Sequence, residues 1–325
     1  MNYAITATLG PGSATRAAWE GMLAAGVTSL RLNTSHLSLA QLQDWLHKLD
    51  PFLSSPDSRP HLVLDLQGSK WRLGEFPPCQ LAAGQPIELV YALSAERAGV
   101  LPVPHADFFN AAQVSSSEIV LNDAKLRLRV EAILPERVTA RVVLGGSITP
   151  HKGITFTASE YRQERLSAKD QAIVDQTRTI PAIQYAVSYL RDAAETLKYR
   201  ELLGPAAYLI AKLERRPAIE DAAQIAGIAN ELWLCRGDLG AELGIRAMAE
   251  TVYRFSETVR DIQLPVFLAG QVLEHMTAQP TPTRSEICAI YDALACGYQG
   301  LVLSDETAIG RFPVESCQAA ALFKG

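Results

Sequence analysis

The 325-residue sequence has few cysteines, and their spacing excludes several classes of protein. There are five, an odd number, and none forms a CxxC pair: Cys79, Cys235, Cys288, Cys296 and Cys317. A zinc site built on cysteine pairs and a secreted disulfide framework are therefore disfavoured, and reduced thiols in a cytoplasmic protein are expected.

Long apolar runs are also missing. No run reaches the length that spans a bilayer, and the N-terminus lacks a basic segment before an apolar one, so neither a membrane span nor a signal peptide is predicted. The formal net charge of −5 disfavours a general nucleic-acid binder. Without a GxGxxG fingerprint or a GxxxxGK[ST] loop, a Rossmann dinucleotide site and a Walker-type phosphate loop are also disfavoured.

The sequence does contain short apolar runs that alternate with segments of helical periodicity. Helices are expected over residues 14–25 and 39–49, and a later one starts at Ser167, which has the residue type of a helix N-cap. The expected strands lie near residues 5–9, 27–32, 61–66, 183–187, 208–211, 232–235, 266–269 and 300–303. About eight strand–helix pairs predict an α/β protein with a (β/α)8 TIM barrel.

Between these two parts the pattern changes. From about Pro77 to about Phe156 we expect no helix, and runs such as 126–130 and 138–143 alternate apolar and polar residues, as half-buried antiparallel strands do. The segment predicts an inserted small β domain. The expected organisation is a first barrel part over residues 1–76, the inserted β domain over 77–160 and a second barrel part over 161–325.

Two charged clusters directly follow neighbouring predicted strands: Lys212-Leu213-Glu214 and Arg236-Gly237-Asp238. Residues two apart on a strand point to the same face, so Lys212 and Glu214 are expected to point together. An ammonium and carboxylates at this place can hold a divalent cation and neutralise an oxyanion. Solvated or ion-paired strand ends are the alternative, which two consecutive clusters disfavour.

Barrel enzymes form their active sites at the carboxyl ends of the strands. The residues expected there are Arg31, Asn33, Ser35, Asp65, Lys70, Arg72, Ser188, Arg191, Lys212, Glu214, Asp238, Gly270, Ser304, Asp305 and Glu306. Arginine and lysine suit phosphate and carboxylate oxygens. The residues alone predict a Mg²⁺-assisted site for a small phosphorylated or carboxylated anion, a description that many barrel lyases share.

Several of these residues lie in motifs that resemble those of the pyruvate kinase family. Residues 31–36, RLNTSH, resemble its RLNFSH, and residues 65–72, DLQGSKWR, resemble its DTKGPEIR. AKLE at 211–214 resembles SKIE, and CRGDLG at 235–240 resembles ARGDLG. PTRSE at 282–286 and LSDETA at 303–308 resemble PTRAE and LSGETA. So many motifs in one order make the resemblance specific, and it extends along the whole chain.

The resemblance implies a role for each matching residue. Implied catalytic residues are Lys212, Arg31 and Arg72: the arginines would hold phosphate oxygens, and the lysine would neutralise the phosphoryl group in flight. The implied ligands of Mg²⁺ (or Mn²⁺) are Glu214 and Asp238. The implied monovalent-cation site, or its replacement, comprises Asn33, Ser35, Asp65 and Lys70.

The remaining implied contacts are with substrate and nucleotide. Substrate binding is implied for Arg236, Gly237, Ser188 and Gly270, and nucleotide binding for His36 and Lys152. The inserted β domain would close as a lid. The implied reaction transfers a phosphoryl group from phosphoenolpyruvate to ADP and gives pyruvate and ATP. No nucleic acid or membrane is an expected partner. Because the family's C-terminal domain is not recognised in this sequence, an oligomer is expected to use barrel contacts only.

Four positions depart from the family pattern. Lys70 stands where many members have glutamate, and because its ammonium can replace a bound cation's charge, K⁺ is not expected to be required. A solvated surface lysine is the alternative. Gly270 replaces a threonine near the enolate, which removes a hydroxyl from the protonation path. Gln67 replaces a lysine and Asp305 replaces a glycine.

These departures leave two other functions open. One is a Mg²⁺-dependent lyase, aldolase or decarboxylase that acts through a pyruvate enolate, although the retained β domain disfavours it. The other is a non-catalytic relative that binds a phosphorylated metabolite or a partner protein, which the intact Lys212, Glu214 and Asp238 disfavour.

Overall fold

A computed structural model describes residues 1–53, 60–112, 118–122, 125–156 and 166–325. The chain forms two compact units. The first comprises residues 1–68, 165–236 and 250–325, and the second comprises residues 69–164 and 237–249. The domain limits expected from the sequence stay a prediction, and the expected boundary between residues 160 and 161 lies outside the described residues.

The elements alternate in type at both ends of the chain. The strands are β1 (Ala4–Thr8), β2 (Ser29–Asn33), β3 (His61–Leu66), β4 (Cys79–Leu81), β5 (Pro86–Val90), β6 (Val100–Pro102), β7 (Glu118–Leu121), β8 (Leu126–Leu134), β9 (Arg137–Leu144), β10 (Gly146–Ile148), β11 (Ile154–Phe156), β12 (Ile183–Val187), β13 (Tyr208–Leu213), β14 (Glu231–Cys235), β15 (Val266–Ala269) and β16 (Gly300–Leu303). The helices are α1 (Arg16–Ala24), α2 (Leu39–Leu53), α3 (Ala106–Ala111), α4 (Ala168–Thr177), α5 (Ala193–Leu203), α6 (Arg216–Glu220), α7 (Ala222–Ala226), α8 (Arg236–Leu243), α9 (Ile245–Thr258), α10 (Arg284–Cys296), α11 (Asp305–Ala308) and α12 (Pro313–Ala320).

The first unit is built on a closed parallel barrel, which confirms the predicted (β/α)8 class. Among the described residues, eight strands close it in the order β1, β16, β15, β14, β13, β12, β3 and β2. Parallel strands covered on both faces are apolar along their length, and β12 and β14 are buried throughout. Side chains fill the interior, in a cluster of Val63, Ala186, Ile210, Trp233, Cys235, Phe267, Ala269 and Val302.

Local signals explain how the flanking helices begin and end. Ser167 caps α4 as predicted, because its side chain accepts a hydrogen bond from the backbone N–H of Asp170. Helix α2 continues past the predicted end at residue 49 to Leu53. Leu42, Leu49 and Leu53 are buried, so burial extends into the last turn although Pro51 lies inside it.

The second unit contains a six-stranded sheet in the order β11, β7, β8, β9, β5 and β6, and a two-stranded sheet of β10 and β4. This confirms the predicted β-rich insertion. The expectation that it has no helix is wrong, because α3 lies within it. A six-residue helix is too short to show helical periodicity. Tertiary packing holds it: the Phe108 ring lies 5.4 Å from the Trp71 ring and 4.5 Å from the Phe156 ring.

None of the helices within the described ranges is both long and apolar enough to cross a membrane.

Candidate active site

The end of β13 carries an ion pair between Lys212 and Glu214. The Lys212 Nζ lies 2.8 Å from Glu214 Oε1, as expected from residues two apart on a strand. Both residues are buried, at 7% and 2% exposure. Because an unpaired charge is costly to bury, this pair depends on further partners.

Asp65, at the carboxyl end of β3, supplies the second negative charge. Its Oδ2 lies 3.1 Å from Lys212 Nζ, and its Oδ1 accepts a hydrogen bond of 2.9 Å from the Ser188 hydroxyl. The same hydroxyl accepts a hydrogen bond of 2.8 Å from Lys212 Nζ. Three strand ends, those of β3, β12 and β13, therefore converge on one polar cluster.

Arg31 joins this cluster from β2. Its Nε and Nη2 donate to Asp65 Oδ2 at 2.8 and 2.5 Å, and its Nη1 donates to Thr8 Oγ1 at 2.7 Å. The Thr8 hydroxyl in turn donates to the carbonyl of Leu303 at 2.6 Å. All three guanidinium nitrogens of Arg31 are thus held in fixed directions, which orients the side chain.

The charged groups of this cluster change one another's pKa values. Burial acts to raise the pKa of Asp65, but the positive charges of Lys212 and Arg31 outweigh it and lower that pKa to about 2. Burial acts to lower the pKa of Lys212, whereas the carboxylates of Asp65 and Glu214 raise it well above its usual value. Lys212 therefore stays an ammonium at neutral pH, and it can stabilise negative charge but cannot act as a base.

Glu214 is fixed from a second side by a residue that the sequence did not indicate. The backbone N–H of Tyr189 donates to Glu214 Oε2 at 2.7 Å. Tyr189 has a φ of +66°, an uncommon conformation for a residue with a side chain. Arg215 holds it there, because its Nη1 donates to the Tyr189 carbonyl at 3.1 Å and its guanidinium lies 4.8 Å from the ring centre. No sequence pattern reveals a positive φ at a tyrosine.

Asn33 is the last residue of β2, and Ser35 and His36 lie in the 3-10 segment Thr34–His36 that follows it. The Asn33 Oδ1 accepts from the backbone N–H of Ser35 at 3.2 Å. The Thr34 hydroxyl donates to the backbone carbonyl of Asp65 at 2.7 Å. The structure therefore brings Asn33 and Ser35 to the strand end next to that of Asp65. The monovalent-cation role of these residues stays a prediction.

Arg236 holds the loop that follows β15. Its Nε and Nη2 donate to the carbonyl of Gly270 at 3.0 and 2.8 Å, and its Nη2 also donates to the carbonyl of Gln271 at 3.0 Å. Burial lowers the pKa of Arg236. Gly270 and Gln271 have φ values of +84° and +53°. A left-handed backbone favours glycine over the threonine of the family motif, because a Cβ is strained there.

The same loop is braced from the other side by Glu306. Its carboxylate accepts from the backbone N–H groups of Leu273 and Ser304, at 3.2 and 2.9 Å. Burial raises the pKa of Glu306 to about 7 against the opposing effect of these hydrogen bonds. Glu306 thus joins the loops after β15 and β16, whose ends the sequence placed in the site.

The second unit carries the other predicted residues. Lys70 is buried, with 5% exposure, and its ammonium pairs with the carboxylate of Asp238. The alternative that Lys70 is a solvated surface residue is therefore wrong. Gly237 lies with Asp238 in the first turn of α8, and the half-buried Lys152 precedes β11.

Arg72 also lies in the second unit. Its Nη1 donates to the carbonyl of His151 at 2.9 Å, and its backbone N–H donates to His105 Nε2 at 3.1 Å. Its buried Nε has no hydrogen-bond partner in the part of the chain that the structure describes. A buried N–H donor without a partner is costly unless a ligand satisfies it. Arg72 therefore keeps a donor available for an anionic ligand.

The carboxylate of Glu214 fits a magnesium ligand. Among the described residues, Oε1 is paired with Lys212 and Oε2 accepts from Tyr189, which leaves lone pairs for a metal ion. In the described ranges no three or more histidine, cysteine, aspartate or glutamate side chains group as a metal cluster. Magnesium is commonly bound by one or two carboxylates plus substrate and water oxygens, so a larger cluster is not required.

The fold and these strand ends define a (β/α)8-barrel protein with a buried site in which cationic side chains pair with carboxylates. A family model for the pyruvate kinase barrel domain matches residues 1–317. The chain is 29% identical to a pyruvate kinase of Agrobacterium vitis over 317 residues, 97% of this chain and 66% of that protein. It is 31% identical to a pyruvate kinase of Aeropyrum pernix over 319 residues, 97% of this chain and 68% of that protein.

The chain belongs to the pyruvate kinase family. It spans about two thirds of the length of the curated relatives it matches. The resemblance stated from the motifs is thereby confirmed.

Proposed function

We propose that this chain transfers a phosphoryl group from phosphoenolpyruvate to ADP, giving pyruvate and ATP. The observation that carries the proposal is the buried Arg31–Asp65–Lys212–Glu214 network at the carboxyl ends of the barrel strands. In phosphoryl transfer the protein mainly positions the reactants and neutralises charge. A fixed guanidinium, a permanent ammonium and a carboxylate with free lone pairs are suited to those tasks.

Each residue has a defined part in this proposal. Arg31, held by Asp65 and Thr8, binds phosphate oxygens of the substrate. Arg72, in the second unit, offers its unpaired Nε to the same kind of ligand. Lys212 stays positively charged and stabilises the transferring phosphoryl group. The Ser188 hydroxyl accepts a hydrogen bond from Lys212 and donates one to Asp65, which fixes the two side chains relative to each other.

Bonds and protons balance as follows. The P–O bond to the substrate's enol oxygen breaks, a P–O bond to a terminal oxygen of ADP forms, and the enolate that remains takes a proton from solvent water on its methylene carbon. Glu214 would hold Mg²⁺, which supplies charge neutralisation at the phosphoryl and enolate oxygens when bound. Asp238, the other implied ligand, belongs to the second unit, and its metal role stays a prediction.

The test is ATP formation from phosphoenolpyruvate and ADP with Mg²⁺, measured by a coupled assay on the folded protein. Lys212→Met is the matched inactive variant, and Lys198→Met is the control because Lys198 is an exposed lysine of α5. Turnover by the unmodified protein and the control, but not by Lys212→Met, supports the proposal. No ATP from the folded, Mg²⁺-loaded protein overturns it.

Gly270 favours a second candidate, enolate chemistry without nucleotide. At φ +84° this position carries no side chain that could lie on the protonation path. An enolate that is not protonated can react with another electrophile. Aldehyde-dependent consumption of pyruvate, or decarboxylation of oxaloacetate without nucleotide, would identify a Mg²⁺-dependent lyase, aldolase or decarboxylase.

A further inference from the structure

Trp233 lies inside the barrel directly beside the residues of the site. It is the middle residue of β14, it is 1% exposed, and its ring belongs to the interior cluster. Strand register pairs Trp233 with Lys212 on β13, so the two side chains leave neighbouring strands on the same face. Trp233 therefore lies beside Lys212 on the neighbouring strand.

The same ring contacts the other cation of the network. The guanidinium carbon of Arg31 lies over the indole of Trp233, 6.0 Å from the ring centre. An aromatic face attracts a cation without hydrogen-bonding to it or neutralising its charge. Trp233 can therefore support Arg31 beside its pairing with Asp65 without adding another negative charge there.

The indole itself is anchored at its far edge. Its Nε1–H donates to Glu231 Oε1, two residues earlier on the same strand. Glu231 is buried at 6% exposure, and its other oxygen accepts from the Tyr208 hydroxyl at 3.0 Å. Glu231 and Tyr208 are the first residues of β14 and β13, whereas Lys212 lies near the carboxyl end of β13. A buried acid is costly, and neither the Mg²⁺ ligands nor the phosphoryl-transfer steps use this one.

We propose that Trp233, anchored by Glu231, is a positioning residue that fixes the guanidinium of Arg31 for the phosphate group of the substrate. The chain of contacts runs from Tyr208 and Glu231 through the indole to Arg31, and from there to Asp65 and Lys212. The inference rests on the proposed function, since it assigns Arg31 to substrate phosphate. It adds a specific requirement, an aromatic face inside the barrel, to the charged residues of that site.

The test measures the binding of phosphoenolpyruvate with Mg²⁺ in the absence of nucleotide, by titration calorimetry, together with steady-state kinetics. Trp233→Leu removes the aromatic face and is expected to weaken binding by about 2- to 30-fold, the range of a cation–π contact. Trp233→Phe keeps an aromatic face and is expected to retain most of the affinity. The loss should be in KM for phosphoenolpyruvate, with KM for ADP unchanged.

Trp19→Phe and Trp19→Leu are the matched controls, because Trp19 is also buried in the first unit and its indole N–H donates to the backbone carbonyl of Ser13. They should lower stability without changing the affinity for phosphoenolpyruvate. A double-mutant cycle adds Arg31→Lys, whose background should reduce the effect of Trp233→Leu. Coupling between the two sites supports positioning, whereas full additivity overturns it.

The outcomes separate this inference from the proposed function. If the protein binds phosphoenolpyruvate but forms no ATP, the proposed function fails. The affinities of Trp233→Leu and Trp233→Phe for phosphoenolpyruvate, relative to that of the unmodified protein, still decide the inference. If ATP forms but Trp233→Leu binds as tightly as the unmodified protein, or Trp233→Phe and Trp233→Leu lose affinity equally, the inference is overturned and the function stands. If the folded protein does not bind phosphoenolpyruvate at all, both are overturned.

Discussion

Lys212 and Glu214 form an ion pair of 2.8 Å although both side chains are buried. Burial of such a pair costs free energy unless further partners surround it. Here Asp65 and Ser188 complete the surroundings of the lysine, and the backbone N–H of Tyr189 completes those of the glutamate. The network is therefore built around one lysine that faces two carboxylates, and removal of that lysine has two consequences.

Lys212→Met should lower kcat for phosphoryl transfer by at least about 10²- to 10³-fold, the usual cost of removing one stabilising group from a transition state. It should also destabilise the fold by about 3–5 kcal/mol, because Asp65 and Glu214 lose their buried cation. Coupled assays and urea unfolding measure the two effects, with Lys198→Met as the exposed control. A folded Lys212→Met protein that keeps kcat within tenfold would contradict the assignment.

Glu231 predicts a pH dependence of stability. Burial raises its pKa from 4.5 to about 7 against the hydrogen bonds from Trp233 and Tyr208, the titratable or polar groups that face it. The folded protein therefore holds this proton more tightly than the unfolded chain. The contribution to stability is fully present below pH 4.5 and is lost as pH rises through 7, by at most about 3 kcal/mol.

Glu231→Gln should make the fall in unfolding free energy between pH 5 and 8 shallower. A slope should remain, because Glu306 also has a pKa raised to about 7. Urea unfolding at several pH values gives the measurement, and Glu220→Gln is the control because Glu220 is an exposed glutamate of α6. An unchanged slope in Glu231→Gln would show that this carboxyl is not held protonated in the folded state.

Gly270→Ala should destabilise the protein by about 1–2 kcal/mol, because φ at this position is +84° and a Cβ is strained there. The matched control is Gly227→Ala at the end of α7, where φ is −69° and only a small change is expected. Urea unfolding of the two variants measures the difference. Equal effects would mean that the loop after β15 does not require its left-handed backbone.

Much of the fold could be predicted because a parallel barrel gives the sequence a regular alternation of apolar strand segments and helical segments. Buried strands are continuous apolar runs, and the residues that follow them meet at one edge. That logic identified Arg31, Asp65, Ser188, Lys212 and Glu214, which the structure joins in one network. Helix α3 could not be predicted in this way, because six residues show no helical periodicity and the helix is held in place by two phenylalanines that pack in a hydrophobic core.

The rest of the site depends on contacts that no local pattern encodes. Only the strand register and the position of Arg31 show which cation the ring of Trp233 faces. The backbone N–H of Tyr189 reaches Glu214 with a positive φ at Tyr189, and the neighbouring sequence gives no indication of that backbone conformation. The substrate-binding role implied for Arg236 stays a prediction, and the structure adds that its guanidinium holds the carbonyls of Gly270 and Gln271.

The protein should be active without added K⁺. Lys70 is buried and pairs with Asp238 in the second unit, so it is a fixed charge rather than a mobile surface group. In the first unit Asp65 already has Arg31 and Lys212 as counter-charges. With side-chain cations in these places, a bound monovalent cation is not needed for charge balance. Rates of ATP formation should therefore be equal in K⁺ buffer and in buffer that contains only tetramethylammonium.

The variant Lys70→Glu tests whether the Lys70 ammonium replaces a bound monovalent cation or whether the protein is simply insensitive to the salt used. Lys70→Glu reverses the charge, so it should lose activity in tetramethylammonium buffer and recover part of it when K⁺ is added. Lys125→Glu, at an exposed lysine of the same unit, should behave like the unmodified protein in both buffers. Strict K⁺ dependence of the unmodified protein would rule out the replacement of a bound cation by Lys70, because the fixed ammonium would then not supply the charge that the reaction requires.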